Sequence, residues 1–379
     1  MKMIALVSDQ RMQNVFPLFQ KDAAFNELTL VLSKDRKTEK PLKRYVDSAN
    51  DLKAVLSPRL PVYLNEDYID PFEIANAKQA IHSLICVSGD PQNVVVNISG
   101  GTKPMAIGAL QAAQAAKVKS LYTDTENGDL IWLMPDGTVN TQPIQMDGLN
   151  IAIYIRAYGE EIVSFSRVSD LDTKRKQWAR IIAENHKVFY ERVINPINRM
   201  LNEAYKNQQT YPISCMLSPT RRQLDIMQQL SVLGLWQWDE SNSSVTIFNR
   251  QNAHFINGGW IEVYTGLQIE ESGFFDETLL NVKLKGIEGE LDLVAIKNGK
   301  LVLVECKSNV QRSEQLNKLD AFRRRLGGPF AKAYYVRASD ANANQIRKQC
   351  EKLKLNGVFF GAELREMGEQ IGENMGVVT

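Results

Sequence analysis

The densest chemistry lies in two β-type runs toward the C-terminus. Gly289-Glu290-Leu291-Asp292-Leu293-Val294-Ala295-Ile296 precedes Lys297-Asn298-Gly299-Lys300, and Leu301-Val302-Leu303-Val304-Glu305-Cys306-Lys307 comes after it. An Asn-Gly pair between such runs is the strongest short-range signal for a β-hairpin. A two-residue turn at Asn298-Gly299 makes Lys297 face Lys300, Asp292 face Glu305 and Glu290 face Lys307. Side chains alternate along a strand, so Glu290, Asp292, Glu305 and Lys307 share one face, which Val294, Ile296, Leu301 and Leu303 continue as apolar surface. Like charges directly opposite each other destabilise a sheet. Asp292 against Glu305 makes sense with a cation between them, and a hard divalent ion with oxygen ligands fits. The plain alternative is a solvated hairpin end carrying a Glu290–Lys307 pair.

A second group of polar residues lies near residue 100. Asn93–Ile98 reads as a strand, Ser99-Gly100-Gly101-Thr102 as a loop, and Lys103-Pro104-Met105 as the opening of a helix, with Pro104 suited to its first turn. Glycines after a parallel strand let the backbone approach an anion, and a helix N-terminus attracts one. Neither the P-loop spacing nor Gly-x-Gly-x-x-Gly is present, which argues against an NTPase or a dehydrogenase. The first strand ends in Ser8-Asp9-Gln10, followed by Arg11-Met12-Gln13-Asn14. Polar residues at the carboxyl end of a central strand stand where open α/β sheets bind ligands. Ordinary turn and cap chemistry is the alternative for both loops.

The elements that must position these groups fall into three sections. In residues 1–150, the expected strands Met3–Val7, Leu28–Leu32, Leu84–Val87, Val94–Ile98 and Leu121–Thr123 alternate with the expected helices Pro71–Ser83 and Lys103–Lys117, the pattern of a parallel α/β sheet. Ile131–Leu133 and Val139–Thr141 add a hairpin. In residues 151–250, Lys174–Leu201 reads as one long helix. Ser218 serves as a candidate N-cap for a second, and Ser244–Phe248 as a small wing: a helical connector or a winged-helix module. Residues 251–379 hold the chemical hairpin. The helix Ser313–Leu326, closed by Gly327-Gly328, follows it, with Leu316, Leu319, Phe322 and Leu326 on its apolar arc and Gln315 in the middle of that arc. A polar residue facing inward needs a partner. Arg323-Arg324-Arg325 with Lys318 forms a basic run, either a phosphate grip or a solvated helix face.

Composition narrows the classes. The 379 residues carry 45 Lys plus Arg against 44 Asp plus Glu, so nucleic-acid contact would have to come from a local patch. Four widely spaced cysteines and three histidines argue against a disulfide framework and a zinc site. No apolar run approaches the ~18 residues of a membrane span. A soluble, cytoplasmic protein is expected.

Asp292, then Glu305-x-Lys307 at a strand end, resembles the PD-(D/E)xK nuclease superfamily, with Gly258-Gly259-Trp260-Ile261-Glu262 similar to its first helix. The resemblance implies a restriction-endonuclease-like α/β domain over 251–379. Asp292, Glu305 and Glu262 would hold Mn2+ or Mg2+, Lys307 would orient the nucleophile or stabilise the transition state, and Gln315 would face the site. Val7-Ser8-Asp9-Gln10 and Asn97-Ile98-Ser99-Gly100-Gly101-Thr102-Lys103-Pro104-Met105 resemble the Rossmann-like CARF domain. This implies a homodimer sharing one cyclic-oligoadenylate pocket, with Ser8, Asp9, Gln10 and Asn14 toward ribose and base, and Ser99, Gly100, Gly101, Thr102 and Lys103 toward phosphate. Together the two halves resemble the CARF–nuclease fusions of type III CRISPR defence, which implies an endonuclease cleaving DNA and/or RNA once cyclic tetra-adenylate binds. The competing readings are a ligand-responsive transcription regulator and a constitutive repair or restriction nuclease.

Overall fold

The structure is a computed structural model that describes all residues except 126, 309–312, 328–330 and 376–379. The chain divides into two compact units, the first formed mainly by Met1–Ile162 and the second by most of the residues from Val163 onward. Among the described residues, no helix is long and apolar enough to cross a membrane.

The first unit is a seven-stranded sheet in the order β3-β2-β1-β4-β5-β6-β7. Its strands are β1 (Lys2–Leu6), β2 (Glu27–Val31), β3 (Val62–Leu64), β4 (Val94–Asn97), β5 (Lys119–Asp124), β6 (Asp129–Leu133) and β7 (Val139–Pro143). The first five are parallel, and β5, β6 and β7 form an antiparallel meander. Strands covered on both faces read as unbroken apolar runs, and Val94, Val95 and Val96 are all fully buried. The helices are α1 (Met12–Phe19), α2 (Lys43–Leu56), α3 (Ile74–Val87), α4 (Lys103–Ala115) and α5 (Ile151–Ala157). Gly108 lets α3 and α4 touch, because a Cβ there would lie 2.6 Å from the Ile74 carbonyl and 2.7 Å from the Ala77 methyl.

Leu84–Val87, expected as a strand, is instead the last turn of α3. Ala77, Ile81 and Ile85 are buried at a spacing of four, a helical period that carries through Leu84–Val87 until Gly89 takes φ +95°. The order of the first sheet reverses between β1 and β4. That is the topological switch point at which open α/β sheets bind ligands, outside the carboxyl ends of the strands.

In the second unit come α6 (Thr173–Glu184), α7 (His186–Phe189), α8 (Asn195–Lys206) and α9 (Arg221–Val232), the last two packed against a small antiparallel sheet. That sheet is ordered β10-β11-β9, from β9 (Ile213–Met216), β10 (Gln237–Asp239) and β11 (Ser244–Ile247), with β8 (Ile162–Ser166) placed elsewhere. The expected single helix over Lys174–Leu201 is broken at Asn185 and again by a π-helical turn over Tyr190–Ile194. The N-cap of α9 is Thr220, not Ser218, because Gln223 reaches back to the Thr220 amide at 2.7 Å.

Past α10 (Arg250–His254) and α11 (Trp260–Glu271), the third sheet runs β16-β15-β14-β13-β12-β8. Its strands are β12 (Glu277–Leu284), β13 (Leu291–Lys297), β14 (Lys300–Lys307), β15 (Ala331–Arg337) and β16 (Gly357–Phe360), and α12 (Ser313–Arg325), α13 (Ala343–Lys352) and α14 (Met367–Glu373) accompany them. Trp178, Phe189 and Leu230 of the middle section share one apolar core with Trp260, Val302 and Val304. Residues from 163 to 250 therefore pack as part of the second unit, not as a separate body between two others. Gly328, expected to close α12 beside Gly327, lies outside the described residues.

Candidate functional site

The turn between β13 and β14 consists of Asn298 and Gly299. Both take positive φ, 45° and 75°, as a two-residue hairpin of this kind requires. With two turn residues, counting back along both strands brings Asp292 across from Glu305, and the side chains meet through Lys307. Its Nζ lies 3.0 Å from Asp292 Oδ2 and 2.7 Å from Glu305 Oε1, and it also donates to the Cys306 carbonyl at 2.8 Å. Asp292 Oδ2 accepts the Cys306 amide at 2.7 Å as well. Asp292 and Glu305 are 5% and 6% exposed, so neither stands at a solvated hairpin end.

Glu262 sits in the first turn of α11. Burial, and then the charge of Asp292, push its carboxyl up to about 8. The same two causes raise Glu305 to about 7, with Lys307 opposing them. Burial works against the Lys307 ammonium, but Asp292 and Glu305 outweigh it and hold the amine above its ordinary range. The Glu290–Lys307 pair of the plain alternative does not form. Lys307 turns to the two buried carboxylates, and Glu290 stands 3.8 Å from Lys283 instead.

A cleft of about 660 Å³ opens on this group. Asp292, Glu305 and Lys307 line it together with Glu290, Lys283, Val163, Gln315 and Lys318. Gln315 is half-buried at the cleft wall, while Leu316, Leu319 and Phe322 of the same helix point into the core. The basic run is largely paired: Arg323 and Arg324 bond the buried Asp320 at 2.6 and 2.8 Å. Of that run it is Lys318 that the fold turns to the cleft. Lys283 was not expected; its placement comes from the pairing of β12 with β13, which no local pattern announces.

The donor set suits a hard cation, since it consists of carboxylate oxygens short of positive charge. Among the described residues, however, no three His, Cys, Asp or Glu side chains converge closely enough to enclose a metal ion. Two carboxylates, Asp292 and Glu305, converge on one point, and Lys307 Nζ stands at it.

The second polar group lies at the carboxyl ends of β1 and β4. Asn97, the last residue of β4, is wholly buried. Its Oδ1 accepts the Ser99 amide at 3.0 Å and the Ser99 hydroxyl at 2.6 Å, and its Nδ2 donates to the Gln13 carbonyl and to Asn14 Oδ1. Ser99 Oγ in turn accepts the Thr123 amide at 2.7 Å. Asn14, expected to face a ligand, is 0% exposed and donates to the Leu6 carbonyl at 3.0 Å. This corrects its place: Asn14 supports the loop from inside, because both ends of its amide are spent on Leu6 and Asn97.

Ser8 closes a turn with Gln10, its Oγ accepting the Gln10 amide at 3.2 Å. Asp9 is exposed, 3.6 Å from Arg44. Gly100 packs against β1 so closely that a Cβ would lie 2.0 Å from the Leu6 carbonyl and 3.5 Å from Ser8 Oγ, and Gly101 takes φ +73°. Thr102 caps α4 by accepting the Met105 amide and donates to the Pro71 carbonyl. Lys103 is exposed at the first position of α4. The fold thus brings Ser8 and Gly100 side by side at the switch point, with Lys103 at the start of the open helix end.

Replacing Asn97 with alanine leaves Ser99, Gln13 and Asn14 without their buried partner. A loss of about 1–3 kcal/mol is expected per buried group left unsatisfied, so urea unfolding of the full chain should show a clear first-unit transition at lower denaturant. An unchanged profile would show that the loop does not depend on Asn97.

Comparison with known proteins assigns a family to each end of the chain. Residues 3–154 match the family described as the Card1 CARF domain, and residues 249–374 match the family described as the Card1-like endonuclease domain. A search of curated proteins returns no match. Among solved structures, Can2 from Sulfobacillus thermosulfidooxidans, in complex with cyclic tetra-adenylate, is similar at TM-score 0.76 and 18% identity, over 99% of this chain and 97% of that one. Protein VC1899 from Vibrio cholerae is similar at TM-score 0.78 and 21% identity, over 99% and 98%. A type III CRISPR defence DNA nuclease activated by cyclic oligoadenylate is similar at TM-score 0.53 and 16% identity, over 89% of this chain and 45% of that one. At these identities the three likenesses speak for the fold, and the two family matches for the domains: the chain unites a Card1 CARF domain with a Card1-like endonuclease domain.

Proposed function

We propose that this chain is a cytoplasmic endonuclease switched on by a cyclic oligoadenylate, cyclic tetra-adenylate in the first instance. Its reaction is hydrolysis of phosphodiester bonds in DNA, RNA or both, in antiviral defence, on a site of the PD-(D/E)xK kind. The observation that carries this reading is the cleft in which Lys307 bridges two buried carboxylates. The glycine loop at the carboxyl end of β4, in the same chain, supports the activator half. So does the similarity to one protein solved with cyclic tetra-adenylate and to another described as a nuclease activated by cyclic oligoadenylate.

Asp292 and Glu305, with Glu262, would hold Mn2+ or Mg2+, which when bound supplies Lewis-acid stabilisation and a water acidic enough to attack near neutral pH. The rest falls to the chain's own groups. Lys307 stays charged and can donate to an oxygen that gains charge as the phosphodiester is attacked. Gln315 and Lys318, three residues apart on α12 and therefore on one face, line the same cleft and can orient the phosphate. Glu262, which burial holds protonated near neutrality, would give up its proton were a cation to offset that cost.

In the sensor unit, Ser8, Asp9 and Gln10 flank the loop Ser99–Lys103, where backbone amides, a helix N-terminus and one lysine can receive anionic groups. A cyclic ligand with two-fold character calls for a symmetric pocket, so the active form is a homodimer. Light scattering that shows a monomer with and without ligand would remove that part.

The deciding experiment incubates the protein with labelled DNA and RNA, with and without cyclic tetra-adenylate, in Mn2+ or in chelator. Cleavage in Mn2+ is expected to rise with activator, and none is expected in chelator. Equal cleavage without activator would make it a constitutive nuclease. Activator-dependent binding with no cleavage under any condition would favour a transcription regulator.

A further inference from the structure

Ser308 comes directly after Lys307, and two separate segments grip it. The Tyr190 hydroxyl donates to the Ser308 carbonyl, and Ser308 Oγ donates to the Asn257 carbonyl at 2.6 Å. Tyr190 begins the π-helical turn Tyr190–Ile194, and Asn257 lies in a second one, Phe255–Gly259. Such turns leave the regular helical hydrogen-bond ladder and re-aim their groups, often next to functional sites. Both gripping residues are themselves held. The Tyr190 ring stacks on His186 with centroids 4.9 Å apart and lies 6.0 Å from Trp260, and Asn257 Nδ2 donates to Asn202 Oδ1 at 3.2 Å.

The strand needs this support where it occurs. At its far end β14 keeps β15 as a neighbour, through the pairing of Lys307 with Arg337 and the Ala338 amide on the Lys307 carbonyl. On the other side β13 begins only at Leu291, across from Cys306, and the Asp292 carboxylate accepts the Cys306 amide. Lys307 therefore leaves a strand whose ladder ends on one side, and its ammonium must still reach two fixed carboxylates. None of Tyr190, Asn257 and Ser308 lines the cleft, so they act on the reaction by holding the backbone beside it and not by touching the substrate.

We infer that Ser308 is a positioning residue, and that its clamp by Tyr190 and Asn257 sets the backbone from which Lys307 reaches Asp292 and Glu305. The inference deepens the nuclease reading and rests on it for its effect on rate. A displacement on the order of 1 Å at a reacting group can cost about 10²-fold in rate.

The test compares Tyr190→Phe, which keeps the ring and loses the donor, with Ser308→Ala and Ser308→Thr in the full chain. Tyr190→Phe and Ser308→Ala should lower kcat by about tenfold or more, with KM for nucleic acid changed by less than about twofold. Ser308→Thr, which keeps the hydroxyl, should retain most of the rate. Hydrogen exchange at the Cys306, Lys307 and Ser308 amides should rise in the first two variants and not in the third. Unchanged exchange at these amides overturns the clamp whatever the cleavage rates do. Raised exchange with an unchanged kcat overturns the positioning role. A wild-type protein that cuts nothing sinks the nuclease reading, while the exchange data still decide the clamp.

Discussion

Lys307→Ala and Asp292→Asn should both abolish nearly all cleavage, yet differ in their effect on the stability of the metal-free protein. The loss of rate is expected to be at least about 10²-fold for either, the scale seen when one preorganised charge-stabilising donor is removed. For stability the geometry separates them. Taking away the ammonium leaves Asp292 and Glu305 facing each other with nothing between them, both buried. Breaking a fully buried pair costs about 3–5 kcal/mol. Lys307 keeps 27% of its side-chain exposure, so about 1–3 kcal/mol is the fitting expectation.

Asp292→Asn loses the same ion pair but can still accept the Cys306 amide. It also removes the charge that, after burial, does most to raise both Glu262 and Glu305. Its metal-free stability should lie within about 1 kcal/mol of wild type. The pH dependence has a definite sign. Glu262 and Glu305 have folded values above the usual glutamate range, so the native state binds more protons than the unfolded chain between roughly pH 4.5 and 8. Stability from these groups is fully present below that window and is lost as pH rises through it. The Lys307→Ala deficit should therefore be large at pH 8 and shrink at pH 5, and added Mn2+ should reduce it at pH 8. Thermal melts at the two pH values, beside a cleavage assay, check all of this. A Lys307→Ala protein as stable as wild type at pH 8 would mean that its ammonium does not hold the carboxylates together.

Much of this site was legible in the residues because a hairpin is local. Asn298-Gly299 dictates the turn, the turn dictates the register, and strand alternation puts Asp292, Glu305 and Lys307 on one face without reference to the rest of the chain. The register alone could not settle the partner of Glu290, for a physical reason. Counting along the hairpin places it across from Lys307, but a lysine has a four-carbon stem and selects the partners whose burial makes its charge most valuable. Lys283 and Val163 could not be foreseen, because they reach the cleft through the pairing of β12 with β13 and of β8 with β12, which no local pattern announces. Asn14 shows a related limit. Four residues past the polar turn Ser8-Asp9-Gln10 it resembles a ligand contact, and only the packing of β1 beside β4 reveals that Leu6 and Asn97 already use its amide. The middle section was hardest. Its helices carry ordinary amphipathic patterns, and nothing local says that Trp178, Phe189 and Leu230 pack against the β14 core instead of forming a body of their own.

Cyclic tetra-adenylate should raise the cleavage rate by a factor of about 5–150 or more, the range of a coupling energy of about 1–3 kcal/mol, and Lys103→Ala should shift the concentration at which it does so. Lys103 is exposed at the first position of α4, where the helix end already favours an anion. A charge-assisted hydrogen bond contributes about 1.5–3 kcal/mol, which converts to roughly 10- to 150-fold in activator affinity. Nothing in the position of Lys103 ties it to the endonuclease cleft, so the plateau rate at saturating activator should equal that of wild type. Linkage adds a second requirement. If activator tightens nucleic-acid binding by some factor, nucleic acid must tighten activator binding by the same factor, and that ratio should survive in Lys103→Ala even as both absolute affinities for activator fall. Titrations of activator against cleavage rate, paired with equilibrium binding of activator in the presence and absence of uncleavable nucleic acid, measure both quantities. A variant with wild-type half-saturation and a lower plateau would reverse the assignment: Lys103 would then carry the signal onward and the phosphate would be held elsewhere in the Ser99–Thr102 loop.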